Sequence, residues 1–239
     1  MGAIQGAEYY ISKGMGKAIM DYRMLEDGDK IAVAVSGGKD SLSLLRILLD
    51  RRKFVPIKYK IIALHVDMGY PRSIAAKLKI YFKKLGVDYR IIKSDVLKKT
   101  PKNKINCFWC SWNRRKELFL AANKLGCTKI ALGHHMDDIA ETFLLNLFFQ
   151  GEISTMKPKQ ELFEGKITLI RPLAYAEERM IRRFAQEAGL GHDRCVCPHS
   201  ISSNRNRMGR IIRDLEKTCP DIKKNIFRSL KRVKKDYLL

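Results

Sequence analysis

The chain has 239 residues, of which 47 are lysine or arginine and 25 are aspartate or glutamate, so its formal charge at pH 7 is +22. This surplus predicts a polyanionic partner, with nucleic acid as the first candidate and an anionic membrane surface as the second. The sequence has no apolar run close to the roughly 20 residues of a spanning helix and no signal-peptide pattern, which excludes a membrane-spanning protein and predicts a cytoplasmic one.

Strand and helix patterns alternate along most of the chain. Strand patterns cover residues 31–35, 58–68, 89–92, 129–133 and 167–170. Helical patterns cover residues 7–23, 42–49, 73–85, 113–125, 139–149, 177–188, 204–218 and 220–236, and an irregular connection covers residues 151–165. This order predicts an α/β protein with a doubly wound, parallel five-stranded sheet and a helical C-terminal extension. In such a sheet, ligands bind at the carboxyl ends of the strands.

The first strand runs into the hexapeptide Ser36-Gly37-Gly38-Lys39-Asp40-Ser41, and a helix follows. This order directs backbone N–H groups and the positive end of a helix dipole at one place, and the glycines let a phosphate approach the backbone. The spacing is neither that of a Walker A loop nor that of the dinucleotide-binding G-x-G-x-x-G motif. The hexapeptide resembles the SGGxDS signature of the PP-loop ATP pyrophosphatases. That resemblance implies that residues 36–41 bind ATP, which the enzyme cleaves between the α and β phosphates.

Further polar residues follow other strands at the same edge of the predicted sheet. His65 and Asp67 end the second strand, and Gly133 and His134 end the fourth, so we expect them to line one nucleotide crevice with the loop. We expect Asp40 to contact the Mg²⁺ that bridges the triphosphate.

Two acidic residues open the helix that follows the fourth strand. Asp137 and Asp138 are typical of helix N-termini, where carboxylates cap the chain and favour the helix dipole. We predict that one of them is such a cap. The other, for which we take Asp138, would organise Mg²⁺ or a catalytic proton.

Two closely spaced cysteine pairs predict metal or sulfur chemistry. Cys107-x-x-Cys110 is predicted in a loop before a helix, and Cys195-x-Cys197 follows much later in the chain. Four thiolates could bind zinc in a closed tetrahedron. Three could instead hold a [4Fe-4S] cluster and leave one iron open. A redox-active dithiol is a third reading, and the residues alone leave these alternatives open.

Taken together, the motifs resemble the tRNA 2-thiocytidine synthetase family of PP-loop tRNA thiolases. The shared set, in family order, comprises SGGKDS, the C-x-x-C pair, residues 133–138 and 142–146, residues 170–175 and a late cysteine motif. The resemblance implies an oxygen-sensitive [4Fe-4S] cluster held by Cys107, Cys110 and Cys197. It also implies ATP, Mg²⁺ and tRNA as partners, and sulfide or a cysteine desulfurase persulfide as the sulfur donor.

The late cysteine motif departs from the family pattern. The family usually has C-x-x-C-G-S, whereas this chain has Cys195-Val196-Cys197-Pro198-His199-Ser200, which is closer to the related 2-thiouridine synthetases. The spacing to residues 212–214 places Cys197 in the shared position and leaves Cys195 as a spare thiol or a persulfide carrier. The departure leaves the target base open between cytidine and uridine.

Several cationic segments are candidates for RNA contact. Arg114 and Arg115 follow the C-x-x-C pair, and we predict that Arg114 acts in catalysis by holding the tRNA base and phosphate near the cluster. Residues 98–104 and the last two helices add a basic surface that could follow a phosphate backbone. Its helical members are Arg205, Arg207, Arg210, Arg213, Lys223, Lys224, Arg228, Lys231, Arg232, Lys234 and Lys235. The apolar face of the first helix further suggests a homodimer.

The predicted function is ATP-dependent tRNA thiolation. ATP would adenylate the C2 oxygen of a pyrimidine, and sulfur delivered at the cluster would replace that oxygen. A small-molecule ligase that uses ammonia would explain the loop but not the charge or the cysteines. A zinc-stabilised RNA-binding protein would explain the charge and the cysteines but not the loop. We divide the chain into a helical segment at residues 1–28, the PP-loop domain with its cysteines at 29–200 and a basic helical extension at 201–239.

Overall fold

A computed structural model describes residues 6–70, 73–96, 100, 107–191 and 204–237. Its helices are α1 (Ala7–Asp21), α2 (Lys39–Arg51), α3 (Ala75–Leu85), α4 (Cys107–Lys124), α5 (Met136–Phe149), α6 (Glu178–Glu187), α7 (Asn204–Glu216) and α8 (Ile222–Ser229), with a 3₁₀ turn at Lys235–Tyr237. Its strands are β1 (Lys30–Ala34), β2 (Lys60–Asp67), β3 (Asp88–Lys93), β4 (Lys129–Ala131), β5 (Lys159–Leu162) and β6 (Ile167–Ile170). The predicted alternation of strands and helices is confirmed.

The described strands form one sheet in the order β3-β2-β1-β4-β6-β5. The first five in this order run parallel, and β5 pairs antiparallel with β6 at the edge. The predicted doubly wound sheet is therefore confirmed, but the count of five strands was wrong. The missed strand, β5, has the sequence KQEL and only one neighbour, so it lacks the continuous apolar pattern that marks strands covered on both faces.

Two helix boundaries differ from the predictions by more than one helical turn. The C-x-x-C pair lies in the first turn of α4, which begins at Cys107, rather than in a loop before the helix. At the other end of the chain, α8 ends at Ser229 instead of continuing to residue 236. Lys231, Lys234 and Lys235 would stack like charges at three- and four-residue spacing, which disfavours a longer helix.

Helices cover both faces of the sheet. On one face, Ile31 and Val33 of β1 pack with α1, α2, α3 and α6, and on the other face Ala32 packs with α4. The apolar side of α1 is buried in the first of these layers through Ile11 and Met15, so the face from which we predicted a homodimer is used inside the chain. None of the helices in the described ranges has the length and apolar content needed to cross a membrane.

The C-terminal helices pack on the body of the protein. Met208 and Ile212 of α7 are buried against Ala140 and Leu144 of α5. Apolar burial of this kind supplies most of the free energy that holds a helix on its neighbour. The extension predicted at 201–239 therefore shares a core with α5.

We expect Ile212→Ala to lower the free energy of unfolding by about 2–4 kcal/mol, because Ile212 is only 2% exposed and its truncation leaves a cavity against α5. Leu215→Ala, on the same helix but 45% exposed, should cost about 0.5 kcal/mol or less. Urea unfolding followed by circular dichroism measures both. If α7 were an independent appendage, the main unfolding transition of Ile212→Ala would match that of the unmodified protein.

Candidate active site

The loop between β1 and α2 closes on the hydroxyl of Ser41. This Oγ accepts a hydrogen bond from the Ser36 N–H (3.1 Å) and donates one to the Gly38 carbonyl oxygen (2.9 Å). Gly37 has a φ of +89°, which residues with a side chain rarely adopt. Gly38 caps α2 without a side-chain hydrogen bond, so the N–H groups of the first helical turn are available to an anion.

A partly buried lysine lies beside this loop between two carboxylates. The Nζ atom of Lys39 is 3.0 Å from Asp40 Oδ1 and 2.9 Å from Glu178 Oε1 at the start of α6. Burial opposes the charge of Lys39, but Asp40 and Glu178 outweigh burial and raise the pKa of the amine. Lys39 is thus a fixed cation at the loop, which a bound phosphate would share with the two carboxylates.

The end of β4 contacts the loop directly at Gly133. A Cβ atom at this position would lie 3.0 Å from the Ser41 backbone nitrogen and 3.1 Å from the Asp40 carbonyl carbon. These are backbone atoms in the first turn of α2, so they cannot move aside as a flexible side chain would. Glycine at this position is therefore required for β4 and the loop to meet.

His65, on β2, presents one defined tautomer to the crevice. Its Nδ1 lies 2.8 Å from the carbonyl oxygen of Val35. Because a carbonyl oxygen only accepts hydrogen bonds, Nδ1 carries the proton and Nε2 remains an acceptor. Burial lowers the pKa of His65, which keeps the ring neutral at pH 7.

His134 has the opposite tautomer because a buried arginine donates to it. The Nε of Arg171, which follows β6, donates to His134 Nδ1 (3.3 Å), so the proton of the neutral ring lies on Nε2. Burial and the nearby guanidinium charges lower the pKa of His134 to about 4. Arg171 also donates to the carbonyl oxygen of Lys157. Burial and the charge of Arg115 lower the pKa of Arg171 to about 10, so it stays cationic at pH 7.

His135 is a buried imidazolium surrounded by carboxylates. Its Nε2 lies 3.4 Å from Asp138 Oδ2 and 3.7 Å from Asp40 Oδ1, and its Nδ1 lies 3.6 Å from Asp137 Oδ2. Burial acts against the charged ring, but these carboxylates outweigh burial and raise the pKa of His135 to about 9. The His135 Nδ1 and Asp40 Oδ1 atoms are both buried without a hydrogen bond of normal geometry, so each is held by charge, Nδ1 by Asp137 and Oδ1 by Lys39.

Two acidic residues that we predicted at the site also have local structural roles. Asp138 caps its own helix, since its Oδ2 accepts a hydrogen bond from the His135 N–H (3.0 Å). Asp67 accepts hydrogen bonds from the Gly69 N–H (2.9 Å) and the Ser73 hydroxyl (2.6 Å). Asp67 therefore holds the turn after β2, while Asp138 both caps α5 and faces the imidazolium.

Asp137 connects three helices. Its Oδ2 accepts a hydrogen bond from the Glu178 N–H (2.7 Å) at the start of α6, and its Oδ1 lies 2.7 Å from Lys223 Nζ on α8. Burial opposes ionisation, but the neighbouring cations His135 and Lys223 hold the pKa of Asp137 well below its ordinary value. We predicted Lys223 on the RNA-binding face, and this was wrong, because its side chain is buried at this junction.

The arginine predicted to act in catalysis is near the same edge of the sheet. The positive charge of Arg114, on α4, contributes to lowering the pKa of His65. Its Nε is buried and makes no hydrogen bond in the described structure, so the guanidinium keeps unused donor capacity.

Among the predicted metal ligands, the structure describes one side chain. Cys110 is buried, and its Sγ lies 3.1 Å from the Tyr70 hydroxyl. The Cys107 side chain, Cys195 and Cys197 lie outside the described residues. Within the described side chains, no three histidine, cysteine, aspartate or glutamate residues are grouped to hold a metal ion. The assignment of the three ligands therefore stays a prediction.

In this doubly wound sheet, the loop after β1 lies against the end of the neighbouring strand β4. This arrangement defines a nucleotide-binding protein of the PP-loop class. The family model described as a PP-loop domain matches residues 11–215. The tRNA-cytidine(32) 2-sulfurtransferase of Geobacter sulfurreducens is 40% identical over 235 residues, which cover 96% of this chain and 91% of that protein. The chain belongs to the tRNA-cytidine(32) 2-sulfurtransferase family of PP-loop proteins.

Solved structures agree with this placement. The U34-tRNA thiolase NcsA from Methanococcus maripaludis, with its [4Fe-4S] cluster, has a TM-score of 0.77 and 27% identity, over 95% of this chain and 79% of that chain. The NH3-dependent NAD synthetase from Campylobacter jejuni has a TM-score of 0.52 and 13% identity, over 94% of this chain and 92% of that chain. The second likeness shows a shared fold only.

We expect Gly133→Ala to weaken ATP binding by about tenfold or more, since the added methyl group displaces the start of α2 at a cost of about 1–3 kcal/mol. Gly191→Ala is the matched control, because a Cβ there meets no atom of the described residues within 4 Å. Titration calorimetry with ATP and Mg²⁺ measures both variants. Equal affinity of the two variants would show that the contact between β4 and the loop does not shape the ATP site.

The buried imidazolium predicts a pH-dependent stability. The pKa of His135 rises from 6.5 to about 9 on folding, so its contribution is complete below pH 6.5 and is lost as the pH rises through 9. The difference amounts to about 3 kcal/mol. Urea unfolding of the unmodified protein between pH 6.5 and pH 9 should show this decline. His135→Gln should abolish it and His134→Gln should keep it, whereas a decline in all three proteins would assign it to another group.

Proposed function

We propose that this protein catalyses the ATP-dependent 2-thiolation of cytidine 32 in tRNA. The observation that carries the proposal is the phosphate-binding loop beside the start of α5, in a chain that is 40% identical to tRNA-cytidine(32) 2-sulfurtransferases over nearly its whole length. The names of these relatives favour cytidine over uridine, the choice that the late cysteine motif left open. The loop supplies the nucleotide site, and the family relation supplies the acceptor.

The described residues suit the ATP half of the reaction. The free N–H groups at the start of α2 and the Lys39 amine would bind the triphosphate, with Asp40 directed at its Mg²⁺. In the same crevice, His134 would donate a hydrogen bond from Nε2 to the nucleotide, and His65 would accept one from it at Nε2. Attack of the C2 oxygen of the base on the α-phosphate then forms an adenylated base and releases pyrophosphate. This step converts the C2 oxygen into a good leaving group.

The cysteines suit the sulfur half. We propose Cys107, Cys110 and Cys197 as ligands of a [4Fe-4S] cluster, because thiolates are the ligands that such clusters need. When bound, the cluster would supply an open iron that carries sulfur as an anion. The buried Cys110 thiol fits this role because it lies at the start of α4, and the Tyr70 hydroxyl can orient its sulfur. Arg114, one turn further along α4, would hold the base or its phosphate near that sulfur.

The RNA-binding surface would use the exposed cations of the C-terminal helices. Arg207 and Arg210 on α7 and Arg228 on α8 are exposed. Arg205 instead donates a hydrogen bond to the Thr142 hydroxyl (2.8 Å) and Lys223 is buried, so neither is free for phosphate in this structure. Recognition would depend on the shape and charge of the RNA, and the target base would flip out of its loop into the crevice.

Three further features belong to the proposal. The sulfur donor would be free sulfide or the persulfide of a cysteine desulfurase, and Cys195 could carry that persulfide. A homodimer would have to use a surface other than the buried face of α1. The enzyme would act in the cytoplasm, where its tRNA substrate is found.

We expect anaerobically purified protein, supplied with iron, sulfide, ATP and Mg²⁺, to form 2-thiocytidine at position 32 of a tRNA transcript. Mass spectrometry of the digested nucleosides detects the product. Cys110→Ala should lose both the brown colour of the cluster and the product, because it removes a ligand.

The matched control is Cys127→Ala, which removes another buried cysteine, one that lies in the core between α4 and β4. It should keep colour and activity if it remains folded. A colourless, zinc-containing protein that forms no thiolated nucleoside would contradict the proposal, and so would pyrophosphate release that needs a small acid instead of tRNA.

A further inference from the structure

Lys223 is buried in a helix whose other cations face solvent. It is 7% exposed, whereas Arg228 on the same helix is exposed. Its Nζ lies 2.7 Å from Asp137 Oδ1 and 3.1 Å from Glu216 Oε2. Burial opposes the charge of Lys223, but these carboxylates raise the pKa of the amine, so it remains a cation. A buried cation with two ion-pair partners does not serve as a phosphate contact for RNA.

A short series of contacts links this amine to the phosphate-binding loop. Asp137, the partner of Lys223, accepts a hydrogen bond from the Glu178 N–H (2.7 Å) and so caps the start of α6. The Glu178 carboxylate in turn lies 2.9 Å from Lys39. The end of α8 that carries Lys223 is therefore three contacts away from the lysine of the loop.

The charges at this junction make the link consequential. Asp137 is buried beside His135, which also faces Asp40 and Asp138. Removal of the Lys223 amine would leave a buried carboxylate without its closest cation, which is strongly unfavourable. The positive charge of His135 would then neutralise Asp137 more and Asp40 less. As a result, more negative charge would face the place where a triphosphate binds.

We propose that Lys223 is a positioning residue for ATP: from the C-terminal helix it neutralises Asp137 and fixes the start of α6, which presents Glu178 to Lys39. The inference rests on the proposed function for the location of ATP. It assigns a role at the nucleotide site to a residue beyond the segment 11–215 that matches the PP-loop domain. The C-terminal helix thus completes the ATP site in addition to its exposed basic surface.

The test is a double-mutant cycle of Lys223→Met and Asp137→Asn, alone and combined, read out by ATP binding in the absence of tRNA. Lys223→Met keeps most of the side-chain volume and removes the charge, and it should raise the Kd for ATP by about tenfold. Asp137→Asn combined with Lys223→Met removes both charges and should return the Kd to within about threefold of the unmodified protein. A simple loss of packing would not be repaired by the second substitution.

Lys217→Met is the matched control, since Lys217 is an exposed lysine paired with Asp214 near the end of α7. It should leave the Kd for ATP unchanged within about twofold. A Lys223→Met protein that binds ATP normally would overturn the proposal, and so would a double variant that fails to recover binding. Failure of the unmodified protein to bind ATP would instead reject the proposed function. If the Kd values for ATP changed as expected but the unmodified protein formed no 2-thiocytidine, only the proposed function would be rejected.

Discussion

The buried imidazolium of His135 is the interaction on which the arrangement of the site depends. Its ring lies among the carboxylates of Asp40 on α2 and of Asp137 and Asp138 on α5. Without a positive charge at this point, the carboxylates would repel one another in a low-dielectric interior, which would destabilise the arrangement in which α2 and α5 begin side by side. Asp137 extends the same group of charges to α6 through the Glu178 N–H and to α8 through Lys223, so four helices meet at one set of ion pairs and hydrogen bonds.

This cluster explains how carboxylates can surround a site meant for a triphosphate. The cations Lys39, His135 and Lys223 each contact at least two acidic side chains. Arg182 lies 3.0 Å from Glu178 and Arg205 lies 3.9 Å from Asp138, so with these two arginines the cations balance the carboxylates of Asp40, Asp137, Asp138, Glu178 and Glu216. A magnesium nucleotide therefore does not meet a large excess of negative charge. The +22 charge of the chain is therefore not concentrated at the loop. It is available on outer surfaces such as those of α7 and α8, where it can attract RNA over a longer range.

The sequence predicted those parts of the site that local pattern determines. The hexapeptide at 36–41 and the polar residues His65 and Gly133 follow apolar strands, and parallel strands bring such ends together at one edge of a sheet. The role of His135 depends on Asp40 from a distant helix in addition to its sequence neighbours Asp137 and Asp138. That of Lys223 depends on Asp137 of α5, and nothing in its local sequence distinguishes this buried lysine from its exposed neighbours. β5 was missed because an edge strand needs little apolar character. The cysteine ligands of the [4Fe-4S] cluster remain predictions, because only Cys110 among them has a described side chain.

Three histidines at one edge of the sheet are in three different states, and each state is set by a particular neighbour. The Val35 carbonyl fixes the proton of His65 on Nδ1, Arg171 fixes that of His134 on Nε2, and carboxylates keep His135 charged. Because the pKa of His134 is about 4 and that of His135 about 9, neither changes protonation near pH 7. These rings are suited to fixed hydrogen bonds and fixed charge rather than to proton transfer. Fixed charge is what the proposed reaction requires, because its leaving groups, pyrophosphate and AMP, would depart as anions that preorganised donors stabilise without protonating them.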